Sequence, residues 1–262
     1  MKNLLISLLL SVILTPQIEW KQLADGLEIT EYKSPIKSAY DDSKITVLKI
    51  NPKVYKFNLY SYKDRSTAEQ FASKYSQIAT INAGMYQSNG TNCGYMKDYN
   101  IYNNSKMNKD KAILAFNSID DSVPPIQIID TEFQDWNELK TKYHSFTQSI
   151  RMVDLNGKNK WSVQDKMWSI ACIAMDKDGN VLFLHSRSPY RVSVFIDIML
   201  AAPFNIKNMM YLEGGPEASL FVAADKTIYR KVGSYETNFI ENNDNLFYWK
   251  IPNVIGISKI RK

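Results

Sequence analysis

The chain has 262 residues, 45% of them hydrophobic and 23% charged, which suits one globular domain with a substantial core and argues against a disordered or collagen-like chain. Its 32 basic and 27 acidic side chains leave a net charge of +5, a field mildly attractive to anions. No Lys/Arg-rich run accompanies that excess, so nothing points to a nucleic-acid partner.

Lys2 and the apolar stretch Leu4 to Leu14 form the n-region and h-region of an export signal, too short to span a bilayer as a helix. No clear cleavage pattern precedes Pro16, so residues 1–19 are expected to be a signal peptide or an N-terminal anchor. No later apolar run is long enough to span. Residues 20–262 are then one exported domain, periplasmic or extracellular. Cys93 and Cys172 could bridge in such a compartment, but the apolar run around Cys172 suits a buried free thiol equally well.

Alternation predicts strands at Leu27 to Tyr32, Ile45 to Ile50 and Tyr55 to Tyr62. Ser66 and Glu69 have capping-box spacing ahead of a short amphipathic helix. The run Ile78 to Ile81 then ends in Asn82-Ala83-Gly84. The polar stretch Gln87 to Lys111 reads as loop with short strands, a place for substrate contact. Strands follow at Ala112 to Phe116 and Ile126 to Ile129, a helix at Asp135 to Tyr143, and a strand at Phe146 to Val153 carrying Gln148 and Arg151. Ile170 to Met175 and Val181 to His185 flank Asp178-Gly179, a type I′ hairpin signal. Ser193 is placed to cap a helix that Pro203 ends, and Val254 to Ile260 reads as the last strand. Paired strands with few helices predict an α+β single domain, a mixed, largely antiparallel β-sheet flanked by a few helices.

The stretch Asn208 to Val222 carries the chemistry. Its apolar run delivers Glu213 to the turn Gly214-Gly215-Pro216, and burying Met, Tyr and Leu gives no packing reason for a carboxylate there. Glycines on its C-terminal side let backbone N–H groups approach whatever the carboxylate addresses. With only His144 and His185 present, a multi-histidine metal site is excluded, and no nucleophile-elbow, zincin, Walker or dinucleotide signature occurs. No cofactor is expected, although a divalent cation at Glu213 stays open, because oxygen ligands are plentiful while no loop has calcium-motif spacing. Arg151 and Arg187 offer planar forks for an anionic oxygen ligand, although each also suits a surface ion pair. The 16 Tyr, 11 Phe and 5 Trp suit a polar ring-shaped ligand, and equally a tyrosine-rich sheet.

The segment MMYLEGGPEASL resembles the phosphodiester glycosidase family. So do INAGMY (Ile81 to Tyr86), FTQSIRMV (Phe146 to Val153) and IAMDKDGNVLFLHSRSPY (Ile173 to Tyr190). GSYETNF and IPNVIGI near the C-terminus are similar to a bacterial branch, so the likeness covers nearly the whole expected domain. The resemblance implies hydrolysis of the anomeric C–O bond of a sugar 1-phosphodiester. Glu213 would be the catalytic carboxylate, with Arg151 and Arg187 as phosphate ligands and Asn82 and Gln148 as orienting amides. Gly84, Gly214 and Gly215 would allow close backbone approach. Many members have Asp in place of Glu213, about one C–C bond (~1.5 Å) shorter, and an Arg where this chain has Trp168-Ser169. A non-catalytic exported protein that binds a glycan or sugar phosphate is the alternative, and a structural envelope protein a further one.

Overall fold

The computed structural model describes residues 18–261, so the expected signal or anchor lies outside the described residues up to position 17. Seven strands form one sheet in the spatial order Lys21–Ala24, Leu27–Lys33, Lys44–Ile50, Val181–Tyr190, Trp168–Asp176, Ile206–Gly214 and Arg151–Val153. A second sheet orders Ile101–Asn104, Met96–Asp98, Tyr143–Ser149, Ala112–Ser118 and Ile126–Asp130. The third orders Thr227–Val232, Ser219–Ala224, Ala79–Asn82, Ile251–Lys259 and Tyr55–Ser66. Every pairing between these strands is antiparallel. The α+β domain with few helices is therefore present, with its strands divided among three sheets instead of one mixed sheet.

The division follows from where apolar side chains point. One face of the seven-stranded sheet sends Leu48, Ile50, Ile173, Phe183 and Met210 into a central core. Ile81, Leu220 and Ile255 of the third sheet close that core, with Leu114 and Phe116 of the second. The opposite face sends Ile45, Val47, Cys172, Leu184 and Met209 against Phe195 and Met199 of the helix Val192–Ala201. Covered on both faces, the strands Trp168–Asp176 and Ile206–Gly214 read as continuous apolar runs without alternation.

Several local expectations shift. The first helix is Ala68–Lys74, capped by Thr67 with Gln70 in a reciprocal box one residue later than expected, because Glu69 turns outward to pair with Arg230. The helix expected at Asp135 to Tyr143 is one turn, Trp136–Leu139, since Tyr143 already begins a strand and buries its ring. Ser193 does not cap its helix; the N-cap position is Arg191, with no side-chain bond, and Ser193 is buried in the first turn. The central hairpin has a three-residue connection, 177–179. There Asp176 Oδ1 accepts from Asp178 N (3.0 Å) and Asn180 N (2.7 Å), and Gly179 alone takes a positive φ, so it is not a type I′ turn. The stretch Phe146 to Val153 is two strands in different sheets, broken at Ile150. Cys93 and Cys172 are both free, Cys172 packing its sulfur 3.9 Å from that of Met209.

Candidate active site

Along Ile206–Gly214 the register slips by one: Cys172 faces Tyr211 while Ala171 faces Glu213, leaving Leu212 as the extra residue of a β-bulge. A bulge re-aims the side chains after it. Here it precedes Glu213, which lines a cavity of about 580 Å³. Gly214 has extended backbone and stands where a Cβ would collide with the Tyr211 hydroxyl and the Trp168 indole. Gly215 takes φ +60°, and a Cβ there would meet the Glu236 carboxylate. The glycines thus let Tyr211, Trp168 and Glu236 close around the carboxylate.

Glu213 is 8% exposed, and its Oε1 accepts one hydrogen bond, from Gly214 N at 3.1 Å. Burial pushes its carboxyl well above the ordinary range, and the charges of Glu217 and Glu236 add to the shift. Glu236 is raised too, by burial and then by Glu217. Both shifts act in the same direction, towards the protonated form. Trp161, Trp168, Tyr211, Met85 and Ile150 supply the apolar walls, and Lys109 and Lys160 are the cationic side chains of the lining. Two buried donors beside the site lack a formed hydrogen bond: the Trp168 Nε1, which approaches the Tyr211 hydroxyl, and the Tyr86 hydroxyl, which approaches Glu217, both short of hydrogen-bond geometry. Among the described residues no group of three or more His, Cys, Asp or Glu side chains is arranged to hold a metal ion.

Of the residues singled out from sequence, Glu213 and Gly214 line the cavity, and Gly215 lies beneath Glu236. Asn82 acts one step away. Its Nδ2 donates to Glu217 O (3.0 Å) and its Oδ1 accepts from Ser219 N (2.8 Å), holding the 3₁₀ turn Gly215–Glu217. Gln148 likewise holds a loop, accepting from Tyr95 N and Asn108 N and donating to Asn108 O and to Asp110 O (2.7 Å). That loop carries Lys109 into the cavity. Gly84 sits at φ +143° against Asn92, away from the lining.

Neither arginine is placed as a phosphate ligand, and this corrects the sequence reading. Arg151 Nη1 meets both oxygens of buried Asp130 (2.7 and 2.9 Å) and its Nη2 meets Glu132 (2.5 Å). Arg187 donates to three carbonyls, Val232 O, Asn245 O and Asn243 O, tying down the loop beyond Val232. Their forks are filled by partners distant in sequence. His185 is a sheet residue, as its phase suggested: buried, against Ala218 O at 3.2 Å, and pushed by burial down to about 3.

Sequence reasoning missed Glu217, Glu236, Lys109, Lys160, Trp161, Trp168 and Tyr211. Glu217 and Glu236 lie inside segments that carried the family resemblance, and Lys109 inside the polar stretch expected to touch substrate. Lys160 and Trp161 had no signal.

A buried carboxylate set between indole walls, with two lysines in the same lining, is an arrangement able to hold a polar ring-shaped ligand. The sequence profile of the phosphodiester glycosidase family (NAGPA) matches residues 75–258, most of the chain, and the protein belongs to that family. Such membership supports a hydrolase of glycosidase type. No curated protein matches the chain by sequence. Among solved structures it is similar to a hypothetical protein from Synechocystis, with TM-score 0.65 and 12% identity over 95% of this chain. The match spans 64% of that protein, under two thirds of its length. It is also similar to the catalytic domain of zebrafish N-acetylglucosamine-1-phosphodiester alpha-N-acetylglucosaminidase, auto-inhibited by its pro-peptide. There the TM-score is 0.63 and identity 12%, over 92% of this chain and 87% of that one. At such identity both likenesses concern the fold.

Proposed function

We propose that the protein hydrolyses the anomeric C–O bond of a sugar 1-phosphodiester, with Glu213 as the catalytic acid. The observation that carries this reading is the buried Glu213 at the floor of a cavity that also holds Lys109, Lys160 and two indoles. A neutral carboxyl donates a hydrogen bond to a phosphate oxygen where a carboxylate would repel it. Lys109 and Lys160 offset the remaining charge. Trp161, Trp168 and Tyr211 pack against the sugar.

A phosphodiester leaves as a weak base, so the acid has little work to do beyond stabilising the departing oxygen. Glu217, beside Glu213, takes a proton from water as its oxygen bonds to the anomeric carbon. The C–O electron pair leaves with the phosphate. Free sugar, carrying the water's oxygen, and a phosphomonoester result, with the water's proton left on Glu217. Exported by its N-terminal apolar segment, the enzyme meets glycans outside the cytoplasm.

The test compares glucose, mannose and N-acetylglucosamine, each linked through phosphate to a second alcohol, with the same sugars linked to it directly. At least one phosphodiester is expected to be cleaved while the plain glycosides survive. In isotopically heavy water the label should enter the sugar. Label in the phosphate would mean P–O cleavage and overturn the mechanism. Binding without cleavage of any of them would favour a sugar-phosphate-binding protein.

A further inference from the structure

A second groove, of about 290 Å³, lies between the strand Tyr55–Ser66, the tip of the 85–93 hairpin and the strands Met96–Asp98 and Ile101–Asn104. It shares no lining residue with the cavity at Glu213. Its floor is Leu59 and Met96, both buried. Two tyrosine rings flank it, Tyr62 at 45% and Tyr102 at 53% exposure, with Ile101 beside them at 74%. Large apolar side chains left open in one place mark a surface that meets something.

The two rings are held. Tyr62 lies near-parallel to Tyr75 (5.8 Å, 11°), which stacks on Tyr60 (4.2 Å, 10°). Tyr102 sits edge-on to Tyr95 at 6.2 Å, with the Lys97 ammonium 5.4 Å from its ring centre. Plates fixed in advance lose little rotamer freedom when a ligand arrives. Between them the groove presents Ser61, Asn89, Thr91, Asp98 and Asn103. Asn103 is fixed too, donating to Ser61 Oγ (2.7 Å) and Gly90 O (3.3 Å) and accepting from Asn92 N (2.6 Å).

Aromatic plates with hydroxyl and amide groups between them match a pyranose, which has apolar C–H faces and an equator of hydroxyls. A lipid chain would bury the Asp98 carboxylate against hydrocarbon, and a phosphate would face that carboxylate with no arginine in the lining. The volume suits one sugar residue. We infer that this groove is a second carbohydrate-binding site, which takes a neutral sugar residue of a glycan. The 85–93 hairpin joins it to the first cavity. Met85 at the hairpin's base lines the Glu213 cavity, Cys93 N bonds back to Met85 O (2.8 Å), and Asn89, Gly90 and Thr91 at the tip line the groove.

The inference does not depend on hydrolysis at Glu213. The full-length protein would be titrated with glucose, galactose, mannose and N-acetylglucosamine and with a linear trisaccharide of each, followed by ligand-observed NMR. At least one trisaccharide should bind, and Tyr62→Ala and Tyr102→Ala should each weaken it by at least about tenfold. If Tyr62→Ala lowers the melting temperature, Tyr102→Ala, whose ring is more exposed, decides alone. The site is refuted if no saccharide binds at tens of millimolar. It is equally refuted if binding survives both tyrosine variants.

Discussion

Arg151 and Glu213 are both charged side chains drawn into the protein on neighbouring strands, and their surroundings differ in kind. Around Arg151 two carboxylates answer one guanidinium through three hydrogen bonds. Around Glu213 there is one backbone N–H, two further carboxylates, and buried donors on Trp168 and Tyr86 with nothing formed to receive them. Buried polar groups in folded proteins are nearly always paired. The complete cluster needs nothing more from outside the chain, and the incomplete one is where the proposed function puts the ligand. Strand position alone does not separate the two.

The sharpest way to break this comparison is to neutralise each centre. Glu213→Gln should lower turnover of a sugar 1-phosphodiester by at least about a hundredfold, the low end for a positioned catalytic group. Its melting temperature should stay the same or rise, because a crowded acid has been removed. Turnover within a few-fold of wild type would take Glu213 out of the chemistry. Arg151→Met should do the reverse. It strands buried Asp130, and with Glu132 exposed on one side the expected loss is about 3 kcal/mol of unfolding free energy in urea. Affinity for a sugar phosphate should not change in that variant; a clear loss of affinity with stability kept would return Arg151 to the site.

A smaller effect sharpens the contrast through pH. Burial holds Glu213 above its ordinary value of 4.5, so the folded protein keeps a proton that the unfolded chain releases. The stability tied to that proton is complete below about pH 4.5 and is lost as pH rises through the folded value, by at most about 1.4 kcal/mol per pH unit. Wild type should therefore lose stability against Glu213→Gln as pH rises from about 4.5. Parallel unfolding curves across that window would mean that Glu213 ionises normally.

Much of the architecture was legible in the chain. Strands such as Lys44–Ile50 and Val181–Tyr190 are written in their own apolar runs, because side-chain direction along a strand is a local property. The placing of Glu213 at a strand end before two glycines was legible for the same reason: a lone acid after Met-Met-Tyr-Leu needs no partner to be noticed. The roles of Arg151, Arg187, Asn82 and Gln148 were not. Arg151 meets Asp130 across 21 positions of sequence, Arg187 meets Asn245 across 58, and Asn82 meets Ser219 across 137. Which fork is filled and which is open depends on those distant partners. The cavity itself was hidden likewise, since Lys109, Trp161, Glu213 and Glu236 come from separate segments. Local sequence determined the strands and the acid at the end of one of them; packing three sheets around a shared core decided which charges were answered and which were left facing a cavity.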